Sequence, residues 1–226
     1  MKYGQFCPIA KATELLGEKW TLLIIRELLM GSTRFNEFQR GLSMISPAIL
    51  SKRLVSLEET GLLYRRKIPG QRGYEYFATE PAKQLLPILL QLGDWGMKWA
   101  KNYLTDEDYD VDFLMIYMRR SIIIDKLPSS ETIIKFKFLD ITDNPNWWLI
   151  VKDDNIDICI KDPGKDVDVY FTSTVEILSN VWLGHIKYGD VIKTKELLVV
   201  GPPALTRNIS SWLTSSPFTK NEFVEK

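Results

Sequence analysis

Ile45-Ser46-Pro47-Ala48-Ile49-Leu50-Ser51-Lys52-Arg53-Leu54-Val55-Ser56-Leu57-Glu58-Glu59-Thr60-Gly61-Leu62 is the stretch whose reading decides the fold. Leu50, Leu54 and Leu57 recur at helical spacing and form one buried stripe. Ser46 is a favourable N-cap, Pro47 lies in the first turn where a missing N–H costs nothing, and Gly61 supplies the stop. The spacing predicts a helix from Ser46 to Thr60 that turns Ala48, Ser51, Lys52 and Val55 outward.

Upstream, Thr33 can cap a short helix through Phe35, Phe38 and Gln39, closed by Gly41. Before it, Lys19 to Met30 is apolar at Trp20, Leu22, Leu23, Ile24, Ile25, Leu28 and Leu29, too continuous for a surface helix and suited to a central one. Pro8 to Leu16 makes a first helix ended by Gly17. Downstream, Leu62 to Ile68 and Tyr74 to Thr79 flank Pro69-Gly70-Gln71-Arg72-Gly73, the pattern of a β-hairpin. Pro81 opens a last helix through about Ala100, with a kink expected at Pro87. Its apolar surface is broader than one neighbour needs, and a dimer partner is one explanation.

Two short helices joined by a tight turn and followed by a basic hairpin form a winged helix-turn-helix pattern. Charge agrees with a polyanionic partner. Residues 1–104 carry 15 basic and 9 acidic side chains, a balance of +6, while the rest of the chain carries −6 and the whole is neutral. Double-stranded DNA is the expected partner. The second short helix would enter the major groove by its N-terminal part. There Ser46 and Ser51 can approach base edges or phosphate, Lys52 can reach guanine or phosphate, and Ala48 can touch a thymine methyl. Gln71 and Arg72 at the hairpin tip suit a phosphate or the minor groove, and Arg34 suits a backbone contact. The other reading of the same pattern is a protein-interaction scaffold, since basic hairpin residues also serve as a solvated face.

Cys7-Pro8-Ile9, Leu15 to Leu28, Arg34-Phe35-Asn36-Glu37-Phe38, Ile45-Ser46-Pro47, Leu50-Ser51-Lys52-Arg53-Leu54 and Leu57-Glu58-Glu59-Thr60-Gly61-Leu62 resemble the HxlR family of winged-helix transcription regulators, in order, from about Cys7 to Trp99. The resemblance implies a homodimer made by the terminal helices and a two-fold related operator. It adds Arg53 as a backbone contact, against the reading of Arg53 as a salt-bridge partner. It also places Cys7 where several members carry a redox or electrophile sensor. A reactive cysteine needs thiolate character and exposure, and a small buried thiol is the competing reading.

The acidic, apolar-poor run from Thr105 to Asp112 marks a boundary between a domain at 1–104 and a second at 111–226. In the second, Phe113 to Asp125 reads as a helix. Ile133 to Leu139, Trp147 to Val151, Ile156 to Lys161, Val167 to Thr172 and Leu197 to Val200 read as strands, with turns at Asp153-Asp154-Asn155 and Pro163-Gly164. Thr174 to Leu183 and a closing segment through Trp212 read as helices. The fold class is α+β: a winged helix-turn-helix followed by an antiparallel sheet with helices on one face. Val181-Trp182-Leu183-Gly184, Tyr188-Gly189-Asp190-Val191-Ile192 and Leu197-Leu198-Val199-Val200-Gly201 are similar to the sterol-carrier-protein-like fold. That similarity implies an apolar tunnel for a lipid or other hydrophobic small molecule, lined by Phe136, Phe138, Trp148, Phe171, Leu178, Val181 and Trp182. A plain aromatic core is the alternative. A hydrophobic-ligand carrier in which the winged helix only dimerises is a further one.

Nothing in the sequence calls for catalysis, a cofactor or a metal. His185 is the only histidine and lacks an obvious acid partner, Cys7 and Cys159 are far apart, and no Gly-rich phosphate loop precedes a helix. No apolar run approaches the ~18 residues of a membrane span, and Met1 to Leu15 lacks the apolar core of a secretory signal. A cytoplasmic, non-enzymatic protein is expected.

Overall fold

Residues 2–217 are described by the structure, a computed structural model; Met1 and residues 218–226, which fall in the expected ranges 1–104 and 111–226, lie outside the described residues. Chain contacts divide it into two units, Met1–Trp95 and Gly96–Lys226.

The first unit opens with α1 (Pro8–Leu16), which Gly17 caps at its end. Trp20, in the left-handed region at φ +79°, leads into α2 (Thr21–Leu29). Ile24, Ile25 and Leu28 are buried and Leu23 is exposed, so α2 is a core helix with one outward leucine. α3 (Phe35–Gly41) has Arg34, not Thr33, as its N-cap. Glu37, at the third helical position, makes the reciprocal contact of a capping box: its carboxylate accepts the backbone N–H of Arg34 at 2.9 Å and of Thr33 at 2.7 Å, which fixes the start of the helix one residue after Thr33.

α4 (Pro47–Glu59) follows the expected spacing, and Ser46 Oγ accepts the Ile49 N–H at 3.3 Å. At its other end Leu62 donates to Leu57 O (2.9 Å) and Gly61 to Glu58 O (3.0 Å). Gly61 takes φ +71°, where a side chain would be strained. Leu50, Leu54 and Leu57 join Ile24, Ile25, Phe38 and Leu63 in one core. The antiparallel pair β1 (Leu63–Lys67) and β2 (Tyr74–Ala78) forms the wing, with Arg66 opposite Glu75. Instead of one kinked helix after the wing there are two, α5 (Glu80–Lys83) and α6 (Leu86–Trp99). Pro87 has no N–H to give to the Lys83 carbonyl, so helical bonding stops there and resumes after Gln84 and Leu85.

The second unit contains α7 (Val111–Arg120), β3 (Glu131–Phe138), β4 (Asn146–Lys152), β5 (Asn155–Cys159), β6 (Val169–Ser173), α8 (Val175–Trp182), α9 (Tyr188–Lys193), β7 (Leu198–Val200) and α10 (Pro203–Thr206). α7 stops at Arg120, short of Asp125. Ile123 donates to Trp212 O at 2.7 Å and Ile122 bridges Leu213, contacts that need non-helical backbone. The sheet order is β5-β4-β3-β6-β7. The expected antiparallel sheet is corrected to a mixed one, because β3 and β6 run parallel, with Ile134 opposite Val169. Hairpins use up one edge of β3, so residues 160–168 carry the chain back before β6 can pair with the other edge. The helix expected through Trp212 is the short α10 and a 3-10 turn at Ile209–Ser211, separated where Asn208 leaves helical backbone. α9 has no counterpart among the elements expected from the sequence. α7 and α8 cover one sheet face, where Phe136, Phe138, Leu149, Val169 and Phe171 share a core with them. No helix among the described residues is long and apolar enough to cross a membrane.

Candidate nucleic-acid interface

The wing is fastened to the start of α3. Tyr76 donates its backbone N–H to Thr33 O at 2.8 Å, and Arg34 forms a bridge with Glu75. Side chains extend this link: Arg34 Nη1 donates to Gln71 Oε1 at 3.4 Å, joining two of the expected contact residues across 37 positions of sequence. Arg65 Nε, 3.1 Å from Glu58 Oε2, connects β1 with the end of α4. Inside the hairpin, Tyr76 packs edge-on against Phe38 (6.0 Å between ring centres), and burial pushes its phenol above the ordinary value, with Arg65 acting in the opposite direction. The wing is therefore positioned by the same core that positions α4.

Of the eight residues expected to touch DNA, Arg34, Ser46, Ala48, Ser51, Lys52, Gln71 and Arg72 are exposed. Ser46 combines this exposure with its capping bond, which uses its oxygen as acceptor and leaves the hydroxyl proton for another partner. No ion pair among the described residues engages Lys52 or Arg72. Arg53 differs. It is half-buried, pairs with Glu18, and donates through Nε to Lys19 O at 3.2 Å. Sequence reasoning missed Glu75. The available signal was its place directly opposite Arg66 in an otherwise basic hairpin.

The other expected residues fall in two places. Phe136, Phe138, Phe171, Leu178, Val181 and Trp182 lie together in the second unit's core, with Phe136 stacked 5.0 Å from Phe171 and 6.4 Å from Phe138. Trp148 is buried outside that cluster, because alternation along β4 sends it to the opposite sheet face, beneath Lys135 Nζ at 4.9 Å. Cys7 is the half-buried N-cap of α1, and Cys159 is also a free thiol. His185 Nδ1 is 2.9 Å from Asn180 Oδ1 at the end of α8. Among the described residues no group of three His, Cys, Asp or Glu is placed to hold a metal ion.

A family model described as HxlR-like helix-turn-helix matches residues 15–103. The chain is 38% identical over 101 residues to the HTH-type transcriptional regulator YvaP of Bacillus subtilis (strain 168), covering 44% of this chain and 94% of that protein. Identity to YdeP, an HTH-type transcriptional regulator of the same organism, is 32% over 96 residues, 41% of this chain and 73% of that protein. An HTH-type transcriptional regulator of the archaeon Methanothermobacter thermautotrophicus is 33% identical over 97 residues, 42% of this chain and 74% of its own length.

Proposed function

Because the chain belongs to the HxlR-like helix-turn-helix family of transcriptional regulators through its residues 15–103, we propose that it binds operator DNA as a homodimer, with α4 in the major groove and the wing on the backbone. The observation that carries this reading is the exposed, unengaged Lys52 on the same outward surface of α4 as Ala48 and Ser51, next in the fold to a basic wing held by Arg34 and Gln71. Ala48, Ser51 and Lys52 read bases, while Arg34, Gln71 and Arg72 position the domain on phosphates. Arg53 contributes by bracing α4 against the Glu18–Lys19 turn. The test is fluorescence anisotropy with the DNA upstream of the protein's own gene, an unrelated competitor, and a salt series. Log affinity is expected to fall with log salt at about −0.9 per phosphate neutralised. Salt-insensitive binding, or none, overturns the reading.

Dimerisation is assigned to α6. Ile88, Leu92, Trp95 and Trp99 recur at four-, three- and four-residue steps and are 56%, 49%, 59% and 44% exposed. That seam of large apolar side chains is suited to a second copy of the same helix. The double variant Leu92→Glu/Trp95→Glu is expected to run as a single chain of 26.2 kDa in light scattering, against twice that for the parent. An unchanged dimer would place the interface elsewhere.

For the second unit the proposal is a sterol-carrier-like module that takes an apolar small molecule and biases the geometry of the dimer. Support comes from a sheet covered on one face by α7 and α8, with stacked phenylalanines beneath them. Such coupling requires the ligand to prefer one arrangement of the DNA-binding units. Titration with a fluorescent fatty acid should saturate. Signal that rises linearly without saturation would argue for a plain core. Oxidation at Cys7 is a second proposed input, and Cys7→Ser should abolish any oxidant effect on DNA binding if it operates.

A further inference from the structure

Glu75 places a negative charge within the basic wing. Its two carboxylate oxygens reach different guanidinium groups: Oε2 lies 3.5 Å from Arg66 Nη2 and Oε1 lies 3.8 Å from Arg34 Nη2. Arg66 comes from β1 and Arg34 from the N-cap of α3. The Glu75 side chain is 24% exposed, against 44% for Arg34 and 68% for Arg66, so the carboxylate is the more sheltered partner and both arginines face solvent. A carboxylate between two guanidiniums offsets part of the positive charge that a DNA phosphate would meet, and takes one of the five N–H donors of Arg66. Any phosphate approaching Arg34 or Arg66 also meets the negative charge of Glu75 beside them.

The geometry points to Glu75 as an internal competitor for the DNA backbone, a positioning residue that keeps Arg34 and Arg66 engaged within the protein and so lowers sequence-independent attraction to duplex DNA. This rests on the DNA-binding reading above. The effect is to raise the threshold that base contacts from α4 must meet. Both ion pairs are exposed, so each shifts an equilibrium by no more than about fivefold. That limits the competition to a modest adjustment of affinity.

The experiment uses the full chain and a fluorescein-labelled duplex of random sequence over a salt series. Glu75→Gln preserves shape and removes the charge. It is expected to bind about three- to tenfold more tightly than the parent, with a log–log salt slope steeper by roughly 1–2. Glu75→Asp keeps the charge and should retain the parent's slope. Arg66→Gln should lower affinity more in the Glu75→Gln background than in the parent, because only there is Arg66 released to phosphate. A Glu75 that merely braced the wing predicts the opposite sign: weaker binding by Glu75→Gln, or equal binding with an unchanged slope, overturns the inference. Lys52→Glu, measured in parallel on the DNA upstream of the protein's own gene, separates the two failures. If it weakens binding and Glu75→Gln does not strengthen it, only the role of Glu75 falls. If it leaves binding unchanged, the DNA-binding reading falls, and the role of Glu75 with it.

Discussion

Lys52→Glu is expected to weaken operator binding by about 100-fold or more. The side chain is exposed on the outward surface of α4, and no ion pair among the described residues competes for it. A good contact to a guanine edge is worth about 1–3 kcal/mol, and charge reversal adds repulsion by the nearby phosphates. In a two-fold dimer the loss is incurred in both half-sites. Fold stability should hardly change, because surface substitutions away from packing features stay within about 0.5 kcal/mol. Lys52→Gln should lose less, since it keeps a hydrogen-bonding side chain without the repulsion. Anisotropy against operator and competitor reads both variants. Parent-like affinity in Lys52→Glu would mean that α4 faces something other than DNA, and a protein partner for the winged helix would become the better reading.

Gly41→Ala is expected to destabilise the first unit by about 2–3 kcal/mol, lowering its melting temperature by roughly 10 °C. Gly41 ends α3, and a Cβ there would fall 2.3 Å from Glu27 Oε2 and 2.6 Å from Glu27 Cδ. A side-chain terminus could ordinarily move aside, but Glu27 is fully buried in α2. Arg26 Nη2 holds its Oε1 at 3.0 Å, and Ser32 Oγ donates to Oε2 at 3.4 Å. Arg26 Nη2 also donates to Gly41 O at 3.4 Å, so this cluster fixes α3 on α2 and, through α3, the anchorage of the wing. Glu27→Ala alone should cost about 1–3 kcal/mol by removing the carboxylate that Arg26 and Ser32 share. The decisive comparison is the double variant. With Glu27 truncated, Gly41→Ala should add little further cost, because the clash has been removed. Calorimetric or circular-dichroism melts check this, and additive losses would show that the strain at position 41 has another source.

Local order was largely legible in the sequence. α1 and α4 begin and end where Pro8, Gly17, Ser46, Pro47 and Gly61 predict, and the Leu50–Leu54–Leu57 stripe is core. Each of these depends on backbone preferences and on a repeat that matches the helical period, both confined to a few neighbouring residues. Pro87 was legible as a disturbance, but whether it kinked or divided the helix depended on whether Gln84 and Leu85 continued helical bonding. Thr33 is not the N-cap because the helix starts one residue later, after Arg34, where the Glu37 carboxylate takes the backbone N–H of both Thr33 and Arg34.

By itself, then, the sequence determined the helix-turn-helix and wing, their order, and the outward surface of α4, since caps, turns and periodicity act over short stretches of chain. Tertiary structure alone decided that Arg53 is held by Glu18, that Arg34 and Arg66 converge on Glu75, that β3 and β6 run parallel, and that Trp148 parts from the phenylalanines. The physical reason is the same in each case. A side chain's charge and its place in a period are properties of the local sequence. Which distant group it meets depends on the path of the chain, and a charge can be free or engaged only with respect to such a neighbour.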